Sequence, residues 1–456
     1  MADLRYAGAA QLRAHYSNRE VSPTEHVRST LDLLERAQSE LHAFTTVTAD
    51  LALAQAAEAE RLILAHGQEA WHGRPLLGVP VSVKDLTPTA GVRTTRGSLL
   101  CADWVPDRDA PAVARLRAAG AALLGKTTTS EFGWSAGTVN RVTGSVANPW
   151  DRTRSAGGSS GGAAAATAAG IGVAALGTDG AGSIRIPAAF CGVVGYKPTF
   201  GHVPYVPLSP EGLSHLGPLA RDVATARLVA EVIAGPHPDD PLSVVRPPRR
   251  PAPDRVRVAW LRWPGETGGS AEVESIARDA AAELGDVVEV DLPFTDPYPH
   301  LVTILAAFDA GQRPEDDALS DPFRLRVVEH GRRLGAADLA HALTERQRLV
   351  QHVDALMERF DVLASPTAWI EPFAVDRWRP DTGADLDWLA WCRAAYPFNL
   401  TGQPAVSVPA GFTAAGLPVG LHLAGRRHED DLVLDLAERI ENARPWHQQY
   451  LGEDQW

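Results

Sequence analysis

The 456-residue chain is 45% hydrophobic and 22% charged, a globular composition too rich in apolar residues for disorder. Its formal net charge of −13 argues against a general nucleic-acid surface, which needs a basic patch. No basic-then-apolar leader opens the sequence and no run approaches the roughly 18 strongly apolar residues of a spanning helix, so a soluble, cytoplasmic protein without a membrane partner is expected.

Helix signals come first. Ser22-Pro23-Thr24-Glu25 fits a capping box with proline in the first turn, and Val27, Leu31 and Leu34 follow at helical spacing. A second, Ala-rich helix is predicted over 49–65. Residues 75–83 (PLLGVPVSV) read as a short buried strand ending at Lys84. A helix over 111–119 and a strand over 121–124 follow. The stretch 155–201, dense in Gly, Ser and Ala, holds strand candidates at 171–177 and 192–196. The Pro-rich residues 236–254 read as a surface connection. Beyond them VRVAWL, a helix near 270–284 and DVVEVDLP suggest a strand-helix-strand unit. Helices fill 321–360, strands return at 361–366, 404–409 and 418–423, and a last helix covers 429–442. Strands alternating with helices over the whole length predict an α/β layer architecture. With no repeat and no clear linker, residues 1–456 are expected to form one domain.

Three cysteines (Cys101, Cys191, Cys392) lie far apart and make no disulfide framework or zinc motif, so each reads as buried and structural. The fifteen histidines form no HExxH-like cluster, and no metal is expected. Lysine is more informative. Of 43 basic residues only Lys84, Lys126 and Lys197 are lysine, all in the first half beside Gly-, Ser- or Pro-rich segments. A buried lysine can shed its proton and act as a base, whereas arginine stays charged. At least one of the three is expected to do what arginine cannot, and structural ammonium roles fit the other two.

Two familiar patterns compete for attention. Gly120 to Thr127 (GAALLGKT) matches the P-loop consensus GxxxxGK[ST]. However, a helical pattern precedes it, its middle is apolar like a buried strand, and TTTS after Lys126 is poor helix interior. Gly157-Gly158-Ser159-Ser160-Gly161 satisfies the G-x-S-x-G nucleophile elbow, but the polar, turn-like NPWDRTR before it is no strand. Downstream histidines such as His422 and His428 have nothing in their setting to recommend them.

A third pattern takes in the whole region. SAGGSSGG (155–162) is followed by GTDGAGSIRIP (177–187) and FCGVVGYKPT (190–199). Around these stand GVPVSVKD (78–85), AALLGKTTTSEF (121–132), NPWD (148–151), DVLASPT (361–367) and NLTGQPAVSVPAG (399–411). This ordered set closely resembles the amidase signature family. Lys126 and the G-x-S-x-G match both fall inside stretches that family carries. The resemblance implies a three-layer α/β/α fold with a central mixed β-sheet flanked by helices. Within it, 1–70 would be an N-terminal helical segment, 71–215 the catalytic core, 216–360 a strand-helix insertion with helices, and 361–456 the return to the sheet.

The resemblance also implies a mechanism. Ser183 would be the nucleophile, Ser159 the bridging serine on a cis Gly158–Ser159 peptide, and Lys84 the base that activates a hydroxyl otherwise too weak to attack. Backbone amides of Gly180, Ala181, Gly182 and Ser183 would hold the oxyanion. The family commonly has two glycines before the nucleophile where this chain has Ala181-Gly182, and a positive φ at Ala181 would be strained. Asp179 is expected to order the loop, Arg185 to form an internal pair rather than bind a substrate carboxylate, and Ser160 to play a structural or tuning part. Trp134 and Trp369 are pocket candidates, with Trp388 and Trp391 nearby in sequence. The expected partner is a small aryl or hydrophobic amide, with esters also cleaved, no cofactor, and a homodimer as the default assembly. The A subunit of a glutamine-dependent aminoacyl-tRNA amidotransferase, with the same relay, is the near alternative. A P-loop nucleotide-binding protein is the alternative of another class.

Overall fold

The computed structural model describes residues 4–249, 253, 255–263, 269–312, 316, 318–380, 386–446 and 451–452. Thirteen strands are found among them: β1 (Phe44–Val47), β2 (Pro80–Lys84), β3 (Ala122–Thr127), β4 (Val139–Asn140), β5 (Gly144–Ser145), β6 (Ala174–Asp179), β7 (Val194–Lys197), β8 (His215–Ala220), β9 (Val258–Arg262), β10 (Val287–Asp291), β11 (Val362–Pro366), β12 (Ala405–Phe412) and β13 (Pro418–Ala424). Eleven of these form a single sheet in the order β1-β3-β2-β6-β8-β7-β12-β13-β11-β9-β10, while β4 and β5 pair separately. The sheet is mixed: β3-β2-β6 and β11-β9-β10 run parallel, and β6 to β11 are joined by antiparallel pairs through β8, β7, β12 and β13.

Helices cover both faces because the strand residues are apolar on both. Along β9, Val258 and Trp260 join the core that packs on helices Pro111–Ala118, Val223–Ile233, Ala271–Ala281 and Asp430–Ala443. The alternate residues Ala259 and Leu261 face the opposite core, which includes helices Tyr298–Gln312 and Ala336–Arg359. Period-two alternation with both sides apolar is what a sheet buried between two helical layers requires. No helix among the described residues is long and apolar enough to cross a membrane.

Local signals fix several ends. Ser22 Oγ accepts from Glu25 N at 3.2 Å, and Ser22 N donates to the Glu25 carboxylate at 2.8 Å, closing the capping box of helix Pro23–Leu41. Ser22→Ala is expected to cost about 1 kcal/mol, read as a lower denaturation midpoint with activity unchanged.

Where the observed elements differ from the predicted ones, a competing interaction explains the difference. The strand predicted over 75–83 begins only at Pro80, because Val79 N turns back to Leu76 O at 2.9 Å. The 321–360 stretch is two helices, Pro322–Arg333 and Ala336–Arg359, broken at Leu334-Gly335. Strand β8 (HLGPLA) escaped prediction because glycine and proline argue against a central strand. Helix Gly161–Ala168 escaped because it opens on two glycines, which are poor helix formers. They are there for contact: a Cβ on Gly162 would lie 2.4 Å from Ala43 O. Of the Pro-rich connection, residues 250–252 and 254 lie outside the described residues; its other residues carry no helix or strand. Cys191 and Cys392 are buried as expected, but Cys101, in a short turn, is only partly so.

Candidate active site

Strands β2 and β6 are parallel neighbours, with Val81, Ser82 and Val83 beside Ala174, Ala175 and Leu176, so their C-terminal ends emerge side by side. Crevices outside such ends are where α/β sheets build their sites. Here β2 delivers Lys84, and β6 delivers Thr178 and Asp179. The turn before helix Gly161–Ala168 adds Ser159 and Ser160, and the loop after β6 adds Ser183.

Lys84 is fully buried, and its Nζ donates to Ser159 Oγ at 2.7 Å and Thr178 Oγ1 at 2.8 Å. Burial pushes the Lys84 ammonium well below its ordinary value of 10.5, with the Asp179 carboxylate partly opposing the shift. The Gly158–Ser159 peptide is cis. Ser160 Oγ donates to Thr178 O at 3.1 Å and Ser160 N to Ser183 O at 3.2 Å, which ties the serine turn to both β6 and the Ser183 loop. Exposure is graded, with Lys84 at 0%, Ser159 at 1% and Ser183 at 8%, so Ser183 is the outermost of the three. Ser159 and Ser183 line one cavity, though their hydroxyls share no hydrogen bond among the described residues.

The Ser183 loop differs from expectation in two respects. Ala181 does not adopt positive φ; Gly182 does, at +112°, and a Cβ there would meet Ala395 Cβ and Ile186 Cδ1 at 2.7 Å. The strain that a positive φ would have put on Ala181 is therefore absent, because the glycine sits where it is needed. Secondly, the Gly182 amide is not available to an oxyanion. It donates to Asp179 Oδ1 at 2.7 Å, as Ile184 N does to Oδ2 at 3.1 Å. The amides of Gly180, Ala181 and Ser183 donate to no protein acceptor among the described residues.

Asp179 belongs to a buried network. Arg185 donates to both of its oxygens at 2.9 Å, and Asn399 Nδ2 donates to its Oδ1 at 2.8 Å and its carbonyl at 2.9 Å. Burial alone would raise the Asp179 carboxyl; the adjacent Arg185 guanidinium outweighs it and holds the group well below the usual carboxylate range. Arg185 also donates to Asn399 Oδ1 at 2.6 Å and Ala395 O at 2.9 Å, and lies 3.0 Å from His422 Nε2. It is fully buried and does not line the cavity.

The other two lysines have structural partners. Lys126 donates to Thr87 O and, at 2.7 Å, to Thr89 Oγ1 from within β3, so the P-loop match is a strand and not a phosphate cradle. Lys197 donates to Gln403 O and, at 3.3 Å, to Pro198 O, and lies 3.2 Å from His215 Nε2. No strand precedes Ser159 directly, and His422 serves Arg185, so no nucleophile elbow is present.

The cavity measures about 330 Å³. Leu86, Phe132, Trp134, Leu305, Phe308 and Trp388 give it apolar walls, and Arg96, Glu211 and Asp309 give it polar ones. Trp388 Nε1 donates to Trp134 O at 2.8 Å, fixing two of the aromatic walls together. Trp369 is not part of it: this side chain packs with Trp263 and Ala394 in a separate cluster, and Trp391 stacks on Phe190. Sequence reasoning missed Thr178 and Asn399, although both stand within motifs already noted, GTDG and NLTGQ. It also missed the 205–214 wall, whose sequence carries no recognisable signal.

The family model described as Amidase matches residues 25–434. An acylamidase of Rhodococcus erythropolis is 36% identical, over 97% of both chains. The A subunit of the glutamyl-tRNA(Gln) amidotransferase of Moorella thermoacetica is 37% identical, over 98% of both. Among solved structures, 6-aminohexanoate cyclic dimer hydrolase superposes with a TM-score of 0.88 at 29% identity, covering 98% of this chain and 99% of its own.

Proposed function

The chain belongs to the amidase signature family and is a hydrolase acting on amide C–N bonds; from that premise we propose that Ser183 attacks a carboxamide carbonyl while Ser159 and Lys84 carry its proton. The observation that carries the reading is the 2.7 Å contact of a fully buried Lys84 with Ser159, beneath a Ser183 that opens into the cavity. Neutral Lys84 takes the Ser159 proton as Ser159 takes that of Ser183, since a hydroxyl can donate and accept at once. The new C–O bond places negative charge on the carbonyl oxygen, facing the Gly180, Ala181 and Ser183 amides. Collapse breaks the C–N bond, and the relay returns the proton to the departing amine. Water, deprotonated through the same relay, then releases the acid and regenerates Ser183.

The aromatic and aliphatic walls support a small aryl or hydrophobic amide as substrate, and esters share the acyl-transfer step. The likeness to an acylamidase supports the same reading. The similarity to amidotransferase A subunits favours a second reading, in which the chain works with a partner and acts on glutamine.

Labelling with a fluorophosphonate, followed by peptide mapping, separates the possibilities. An adduct on Ser183 that is lost in Lys84→Ala is the expected result. An adduct on Ser159 would overturn the assignment. No adduct on the isolated chain, but labelling in the presence of a copurifying partner, would move the reading as an amidotransferase component to first place.

A further inference from the structure

Among the described residues three charged side chains lie in the cavity walls, and their surroundings differ. Asp309 is ion-paired at 3.1 Å with the fully buried Arg324, whose guanidinium also lies 3.6 Å from Glu131. Arg96 lies over the Trp104 ring at 4.6 Å. Glu211 forms no ion pair with any described residue. Its Oε1 accepts from Ser214 Oγ at 2.8 Å and from Ser209 Oγ. The neighbouring arginine, Arg346, directs its donors to main-chain carbonyls, Leu400 O at 2.6 Å, Glu211 O at 3.0 Å and Gly212 O at 2.7 Å, and so acts on the Glu211 carboxylate through its charge but not as a hydrogen-bonded partner. The Glu211 backbone is thus clamped from behind and its carboxylate oriented by two hydroxyls, while the side chain remains half-buried at the cavity wall. A partly desolvated carboxylate oriented by neutral donors attracts a cation more strongly than one in bulk water.

Its place relative to the reacting atoms is also defined. Ser214 Oγ, the donor to Glu211, lies 3.5 Å from where a Cβ on Gly180 would stand. Gly180 carries one of the three unengaged amides of the Ser183 loop. Glu211 is therefore two contacts removed from the proposed oxyanion site, with the apolar wall of Trp134, Phe132 and Phe308 completing the cavity.

We propose that Glu211 is a specificity residue and that the substrate class is amides carrying an ammonium group within a few bonds of the scissile carbonyl, on an otherwise apolar body. This rests on the amidase reading above. No covalent step is added; the carboxylate pairs with the ammonium as the amide settles against the Ser183 loop.

The test compares 3-phenylpropanoyl p-nitroanilide with its 3-amino counterpart at pH 7.5, in the wild type and in Glu211→Gln. The readout is the ratio of kcat/KM values, which a general loss of activity does not move. The wild type should prefer the amino substrate, chiefly through KM, and Glu211→Gln should reduce that preference by about 10- to 100-fold. In the wild type the preference should also fade as pH rises through the amine's own pKa, a check that needs no variant. A wild-type preference for the neutral anilide, or a ratio unchanged by Glu211→Gln, overturns the inference and leaves the amidase reading standing. If neither anilide turns over, protection of Ser183 from fluorophosphonate by butylammonium, but not by butanol, supports the inference, and equal protection refutes it. Absence of Ser183 labelling would instead count against the amidase reading itself.

Discussion

Ser183→Ala and Lys84→Arg are each expected to lower kcat on a hydrolysed amide by about 10⁴- to 10⁶-fold, since members of a nucleophile–base unit fail together. The lysine variant is the sharper test. Arginine keeps the positive charge and nearly the length of Lys84, so an electrostatic or packing role would be partly preserved. It cannot give up its proton at accessible pH, so a role as base would be lost completely. Steady-state kinetics on one amide, with circular dichroism to confirm folding, settle the comparison. Lys84→Arg retaining a tenth of the wild-type rate would exclude Lys84 as the base. The same assignment fixes a pH dependence. If Lys84 is the base, activity requires its neutral form, so kcat/KM should rise with pH through the depressed pKa and then level off. Because burial lowers that pKa, the rise should be complete well before the 10.5 of an ordinary lysine. A rate still climbing near pH 10.5 would mean that burial does not tune this group.

How much of this was visible in the chain itself differs from layer to layer. The helix Pro23–Leu41 was legible because its cap is local chemistry: Ser22 and Glu25 need only each other. Most strands were legible from short apolar runs, yet β8 was not, because its place between β6 and β7 is set by pairing, as of Leu176 with Pro218, and not by propensity. In the site, the scarcity of lysine narrowed the base to Lys84, Lys126 or Lys197, and the resemblance carried by the ordered motifs then indicated Lys84, Ser159 and Ser183. What the motifs could not convey was how the backbone donors are distributed. A four-residue loop reads as four amides, but the Asp179 carboxylate takes the one at Gly182. The cavity walls were least legible, since Trp134 and Trp369 look alike in sequence and only the fold directs one to the cavity and the other to Trp263. Glu211 acquires meaning only once Arg346, 135 positions later, is seen to hold its carbonyl.

Asp179→Asn should destabilise the protein by about 3–5 kcal/mol, the cost of leaving a buried charge without its partner. Arg185 would keep Asn399, Ala395 O and His422 but lose the only carboxylate with which it forms an ion pair among the described residues. A denaturation midpoint reads the stability directly, and the companion Asp179→Leu/Arg185→Met should recover part of the loss if the unpaired charge is its source. The pH dependence has a definite sign. A carboxyl whose folded pKa is lowered contributes its full stabilisation above the unfolded value near 3.8 and loses it as pH falls toward the folded one. The wild-type advantage over Asp179→Asn should therefore be constant through neutral pH and shrink below about pH 4. Asp179 also pins the Gly182 and Ile184 amides, so kcat should fall more than the lost stability explains at temperatures where the variant is fully folded. A variant that melts early yet turns over normally when folded would show that the loop holds its shape without Asp179, and would confine this residue to stability alone.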